Sequence, residues 1–159
     1  MERYKEPAKE IPVYGRYDVV VAGGGCAGFA AAVAAARTGA KTLIIEQFPF
    51  FGGTATASLM ATIVGVRNQV KPDELQVCKG IGEELILNMI AEGGAEHSRN
   101  SYESEKRSDT KGDLSYNYAF DTEVFKKVTL DIAVEAGCDI LFHTYFADTI
   151  VEEDCVKGI

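Results

Sequence analysis

Residues 17–46 read YDVVVAGGGCAGFAAAVAAARTGAKTLIIE, and the order of residue types in this stretch decides the fold. Tyr17 to Ala22 is β-branched and apolar, the pattern of a parallel strand buried on both faces. Glycines follow, and an alanine-rich helix is expected from about Ala27 to Thr38, with Gly39 as its C-terminal stop. Lys41 to Glu46 reads as a second short buried strand. Strand, helix and strand within about thirty residues make a right-handed βαβ unit. The apolar run from Val19 to Ala36 could be taken for a membrane span. Gly23-Gly24-Gly25 would make a poor helix interior, however, and a strand, turn and helix explain the run better.

Within this unit Gly23-x-Gly25-x-x-Gly28 follows a strand and opens a helix, and Glu46 ends the next strand. Each part has a physical task in holding a dinucleotide. Gly23 allows the tight turn out of the strand. Gly25 lacks a side chain, so a pyrophosphate can approach the backbone. Gly28 lets the helix lie close to the sheet, and the alanines after it keep that interface thin. The free N–H groups and positive dipole end of the helix meet the phosphates. Glu46 is placed to accept hydrogen bonds from the adenosine ribose hydroxyls, and its charge disfavours a ribose bearing a 2′-phosphate. The glycine motif alone leaves both FAD and NAD open.

Composition sets the outer bounds. The chain has 159 residues, enough for one domain with a real core, and 47% hydrophobic with 25% charged residues is the balance of an ordinary globular protein. A net charge of -8 argues against a nucleic-acid partner, which needs a clustered basic patch. Cys26, Cys78, Cys138 and Cys155 form no C-x-x-C pair, so neither a zinc site, an iron–sulfur cluster nor a disulfide framework is expected. No metal is expected. A reduced, cytoplasmic setting fits the cysteines, and the charged start MERYKEPAKEIPVYGRY has no signal-peptide core. No membrane segment is expected.

Residues 1–16 read as a polar leader and residues 17–159 as one domain. Phe50 to Thr56 is a glycine- and threonine-rich loop, and 80–91 an amphipathic helix stopped by Gly93-Gly94. Glu96 to Leu114 is polar, the pattern of an exposed loop. Asp121 is the expected N-cap of a helix from Thr122 to Ala136, with Gly137 at its C′ position. Asp139 to Phe146 is expected as a strand, with His143 on one face with Leu141 and Tyr145. Ile150 to Ile159 reads as a hairpin turning at Glu153-Asp154. The fold class is α/β, a Rossmann-like three-layer FAD/NAD(P)-binding fold with a β-hairpin extension that reads as incomplete at its C-terminus.

The stretch from Tyr17 to Gln47, followed by FFGGTATASLM at 50–60, resembles the FAD-dependent oxidoreductase family related to fumarate reductase and glutathione reductase flavoproteins. EPAKEIPV and the segment from Phe120 to Asp154 resemble it too, while Asn100 to Leu114 is the least matched part. The resemblance implies FAD as cofactor. It implies that Gly52-Gly53-Thr54 bring backbone amides towards the flavin side, and that Phe146, beside Tyr145, contacts adenine. Cys26, Ala27, Gln47 and Ala55 complete the implied cofactor-binding set. The family usually has proline or another small residue where Cys26 stands. A thiol at a helix N-terminus can be activated, but a small packing residue is the plainer reading.

His97, His143, Glu152-Glu153-Asp154, Lys126-Lys127 and Arg107 read as structural or surface residues, and no catalytic residue is assigned. The expected function is the FAD-binding portion of an oxidoreductase that transfers hydride between an organic, small-molecule substrate and FAD. The alternatives are a non-catalytic cofactor-holding fragment and an NAD-linked dehydrogenase domain. The family's downstream Gly-Asp segment is absent after Ile159, so the chain alone is expected to be inactive, with a homo-oligomer or a partner chain possible.

Overall fold

The computed structural model describes residues 2–4, 7, 10–66, 76–96 and 118–159. The polar loop expected at 96–114, with His97 and Arg107, lies outside these residues apart from Glu96. Strand β1 (Val19–Ala22), helix α1 (Cys26–Arg37) and strand β2 (Thr42–Ile45) form the βαβ unit. β1 and β2 are parallel, with Val19 opposite Thr42 and Ala22 opposite Ile45. On its other edge β2 pairs in parallel with β5 (Asp139–Leu141), Leu43 lying opposite Asp139. The sheet order is therefore β1-β2-β5.

Burial follows this order. All four residues of β2 are buried, whereas β1 alternates between half-buried and exposed positions. The expectation that β1 is buried on both faces is thus corrected. Paired on one side only among the described strands, β1 is an edge, and Val20 is 38% exposed. The run of β-branched residues at 19–21 gave no sign of this.

Helix α1 lies on β1 and β2, and α2 (Ile81–Ala91) and α3 (Thr122–Glu135) pack against α1 and each other. Their facing side chains recur at helical spacing: Phe29, Ala32 and Val33 from α1; Leu85, Ile86 and Met89 from α2; Phe125, Val128, Ile132 and Ala133 from α3. Alanines on α1 let the layers approach closely, and each large side chain buried here contributes about 1.5–3 kcal/mol. The caps match their sequence signals. Asp121 accepts hydrogen bonds from the Glu123 and Val124 amides, and Gly39 and Gly137 follow their helices with positive φ.

The expected strand at 139–146 is shorter. It ends at Leu141, because His143 turns the chain with φ 54° and the Thr144 amide donates to the Glu46 carbonyl at 3.0 Å. His143 and Tyr145 therefore do not continue the alternation of Leu141. A two-residue antiparallel pair joins β3 (Thr62–Ile63) to β4 (Tyr118–Ala119). The hairpin forms as read, from β6 (Ile150–Glu152) and β7 (Cys155–Gly158), with Glu153 and Asp154 both at positive φ in its turn. No helix among the described residues is long and apolar enough to cross a membrane.

Candidate cofactor site

At the carboxyl ends of β1 and β2 the chain brings two glycine loops together. The first leaves β1 through Gly23, whose φ of 102° suits glycine and whose amide donates to the Ile45 carbonyl at 2.8 Å. The second comes from Gly52-Gly53, and the Gly52 amide donates to the Gly24 carbonyl at 2.9 Å. A Cβ on Gly53 would stand 3.1 Å from the Gly25 Cα. About thirty positions of chain, from Gly23 to Gly53, thus close into one short backbone cradle at the head of α1.

The glycines of the first loop differ in what they exclude. A Cβ on Gly28 would overlap the Gly23 carbonyl oxygen, and one on Gly24 would overlap the Phe51 ring. Among the described residues a Cβ on Gly25 would meet nothing within 4 Å, and its φ of -64° is open to any residue. Gly28 and Gly24 are therefore demanded by the protein itself. Gly25 is not, and the space in front of it is free for a ligand. Gly25 is also the N-cap of α1, with no side-chain hydrogen bond to the cap and no acid in the first turn. Such an end offers backbone donors and the positive end of the helix dipole to an anion.

Glu46 is buried, 5% exposed, and its carboxylate is already engaged. Oε2 accepts from the Gly24 amide at 2.6 Å, and Oε1 accepts from the Phe48 amide at 2.9 Å. Each oxygen retains a lone pair for a hydroxyl group. Gln47, beyond it, is exposed, as are Ala27 and Thr54, while Ala55 is buried in the single 3-10 turn of Gly53–Ala55. Phe146 is 42% exposed on the segment beyond β5. It does not belong to a strand, so its place beside the adenosine rests on the family resemblance alone.

Cys26 donates its thiol to the Gly52 carbonyl at 3.5 Å, adding a second link between the loops. Although part of the side chain reaches solvent, crowding around the sulfur pushes the thiol pKa up, outweighing the backbone hydrogen bonds that pull it down. The sulfur is in a packing role and not an activated one. Sequence reading passed over Phe51, which is fully buried, tilts against Phe29 and Phe142 at 6.3 and 4.9 Å, and fills the space a side chain on Gly24 would need. Its signal was an aromatic pair directly before Gly-Gly. It also passed over Phe48, whose amide holds the second oxygen of Glu46.

Known proteins resemble this chain in sequence and fold. The family model described as FAD dependent oxidoreductase matches residues 18–159. Digeranylgeranylglycerophospholipid reductase 1 of Methanococcoides burtonii is 27% identical over 144 residues, covering 91% of this chain and 33% of that protein. The acrylate reductase flavoprotein subunit of Shewanella woodyi is 35% identical over 92 residues, 50% of this chain and 18% of that one. Among solved structures, L-amino acid deaminase from Proteus vulgaris aligns with a TM-score of 0.57 at 16% identity, covering 95% of this chain and 51% of that one. That likeness shows the fold. The chain spans about a third of the length of the curated digeranylgeranylglycerophospholipid reductases it is similar to.

Proposed function

Because the chain belongs to the FAD-dependent oxidoreductase family, with FAD as its cofactor, we propose that its paired glycine loops hold the ADP half of FAD. In this reading Gly25, Cys26, Ala27 and Gly28 present the helix N-terminus to the pyrophosphate, and Gly23 sets the turn. Glu46 accepts the ribose hydroxyls, with Gln47 at the adenosine end. Gly52, Gly53, Thr54 and Ala55 run towards the flavin side, and Phe146 lies beside adenine. FAD bound there supplies two-electron redox chemistry, and the protein supplies position and electrostatics. The reaction of the whole protein is hydride transfer between an organic small molecule and the flavin, in the cytoplasm. Additional protein, from the same polypeptide or another chain, walls the substrate side.

The observation that carries this reading is the free space at Gly25, beside a second glycine loop hydrogen-bonded to the first. A glycine demanded by packing would show a clash, and this one shows none. The residues present fit the cofactor: a backbone cradle for phosphates and an acid with unused lone pairs for a ribose without a 2′-phosphate. Titration calorimetry with FAD, NAD and NADP is the test. FAD should bind tightest, and tighter binding of NAD than of FAD would sink the assignment.

A further inference from the structure

Behind the glycine cradle, α1, α2, α3, β3 and Phe120 enclose a partly open cavity of about 340 Å³. Its walls include Phe29, Leu85, Ile86, Phe120 and Phe125, and among the described residues they carry no carboxylate, amine, guanidinium or imidazole. The thiols of Cys26 and Cys78 also line it, and both are already used, donating to the Gly52 and Gly65 carbonyls at 3.5 Å. Thr54 and Ala55 form its border with the cofactor loops.

Gly82 is the unexpected residue of this wall. It lies in the first turn of α2, on the same face as Leu85 and Ile86, where glycine weakens a helix relative to alanine. Nothing among the described residues requires it: a Cβ there would meet none of their atoms within 4 Å, and its backbone angles are open to any residue. What glycine achieves at this position is to leave the cavity unfilled.

We propose that this cavity binds an uncharged hydrocarbon ligand and that Gly82 keeps it open. The volume falls within the range of small-molecule sites, roughly 300–1,000 Å³. It is more than twice the ~150 Å³ of an engineered Leu/Ile/Phe-lined cavity that stays dry and takes up benzene. A charged or strongly polar occupant would be stripped of water with almost nothing to pair with. A hydrocarbon forfeits nothing and restores the dispersion contacts that an empty apolar cavity lacks. Met60, 54% exposed at the rim, adds an adaptable apolar side chain. That the ligand abuts FAD, as the apolar part of a substrate, rests on the proposed function; the cavity's capacity for it does not.

The test uses the purified chain and the uncharged fluorophore N-phenyl-1-naphthylamine. It should bind saturably, one per chain, and slow the alkylation of Cys26 and Cys78 while leaving Cys155, on the hairpin, as reactive as before. Gly82→Phe should fill the space, weaken probe binding about tenfold or more, and raise Tm rather than lower it. Gly82→Leu serves as a second, smaller filler. Unsaturable binding, no protection of the two cysteines, or full-strength binding to both variants would overturn the proposal. So would a parent that takes up no probe together with variants of lowered Tm, since the space would then belong to the polypeptide itself. FAD titrated in parallel separates the two ideas. Probe uptake without FAD binding faults the cofactor assignment alone, and FAD binding without probe uptake faults the cavity alone.

Discussion

Glu46 and Gly24, 22 positions apart, are joined by a hydrogen bond of 2.6 Å from the Gly24 amide to the carboxylate Oε2. The acid at the end of β2 therefore shapes the turn after β1 before any ribose reaches it. Loss of the ribose bonds with an untouched fold is the simplest expectation for Glu46→Ala from sequence. The structure adds a cost in stability, because the buried Gly24 amide and the part-buried Phe48 amide both lose a charged acceptor. Glu46→Ala should lower the unfolding free energy by about 2–3 kcal/mol in urea titration, as well as weakening FAD binding. Glu46→Gln, which keeps one acceptor, should lose less. An unchanged urea midpoint for Glu46→Ala would show that these bonds do not form.

The glycines of the first loop should separate by phenotype. Gly25→Val places its side chain in open space and should fold normally, with thermal unfolding close to the parent's and no measurable FAD binding. Gly28→Ala drives a methyl group into the Gly23 carbonyl and should cost about 3 kcal/mol or more. Circular dichroism melts beside FAD titrations read both. Equal loss of stability in the two variants would mean that Gly25 is a structural residue after all.

Arg37 and Glu84 tie α1 to α2 by a two-pronged ion pair, both N–O distances being 2.6 Å. At 39% and 32% side-chain exposure the pair is screened by solvent, so Glu84→Gln should cost no more than about 1 kcal/mol at neutral pH. The Arg37 hydrogen bonds hold the Glu84 carboxyl below the usual carboxylate range. Its contribution is thus complete above the unfolded pKa and disappears as pH falls through the lower folded value. Parent and variant should converge in stability in acid, and also in high salt. A gap between them that persists or widens in acid would contradict the assignment.

On the β6–β7 hairpin, Ile150, Val151 and Val156 are 55%, 57% and 67% exposed. Uncovered apolar side chains on a two-stranded ribbon favour association. Val151→Lys with Val156→Lys should reduce self-association in sedimentation velocity while changing stability by less than about 0.5 kcal/mol. A large loss of stability would show that these valines pack within the chain.

The βαβ unit was legible because each of its signals is local. Glycine at Gly23, Gly25 and Gly28, alanine spacing along α1 and the acid at Glu46 need only neighbours in sequence. The caps at Asp121, Gly39 and Gly137 were legible for the same reason. What was missed depends on distant contacts. Edge and centre of the sheet differ in partners and not in residue types, so β1 and β2 read alike. The strand after α3 stops early because Thr144 bonds to Glu46. Gly24 looked incidental until Phe51 was seen filling the space above it.

The central place of β2 also bears on how the sheet assembles. β1 and β2 lie within one short crossover, but β5 joins β2 only after about a hundred further residues. The glycine turn, α1 and the Glu46 grip on Gly24 can therefore form as an early local unit, before the slower non-local pairing completes the sheet. In native-state hydrogen exchange the amides of Thr42–Ile45 should be the last to open, with β1 and β5 fraying ahead of them. A four-residue strand with both edges occupied would then set the lifetime of the cradle built at its end.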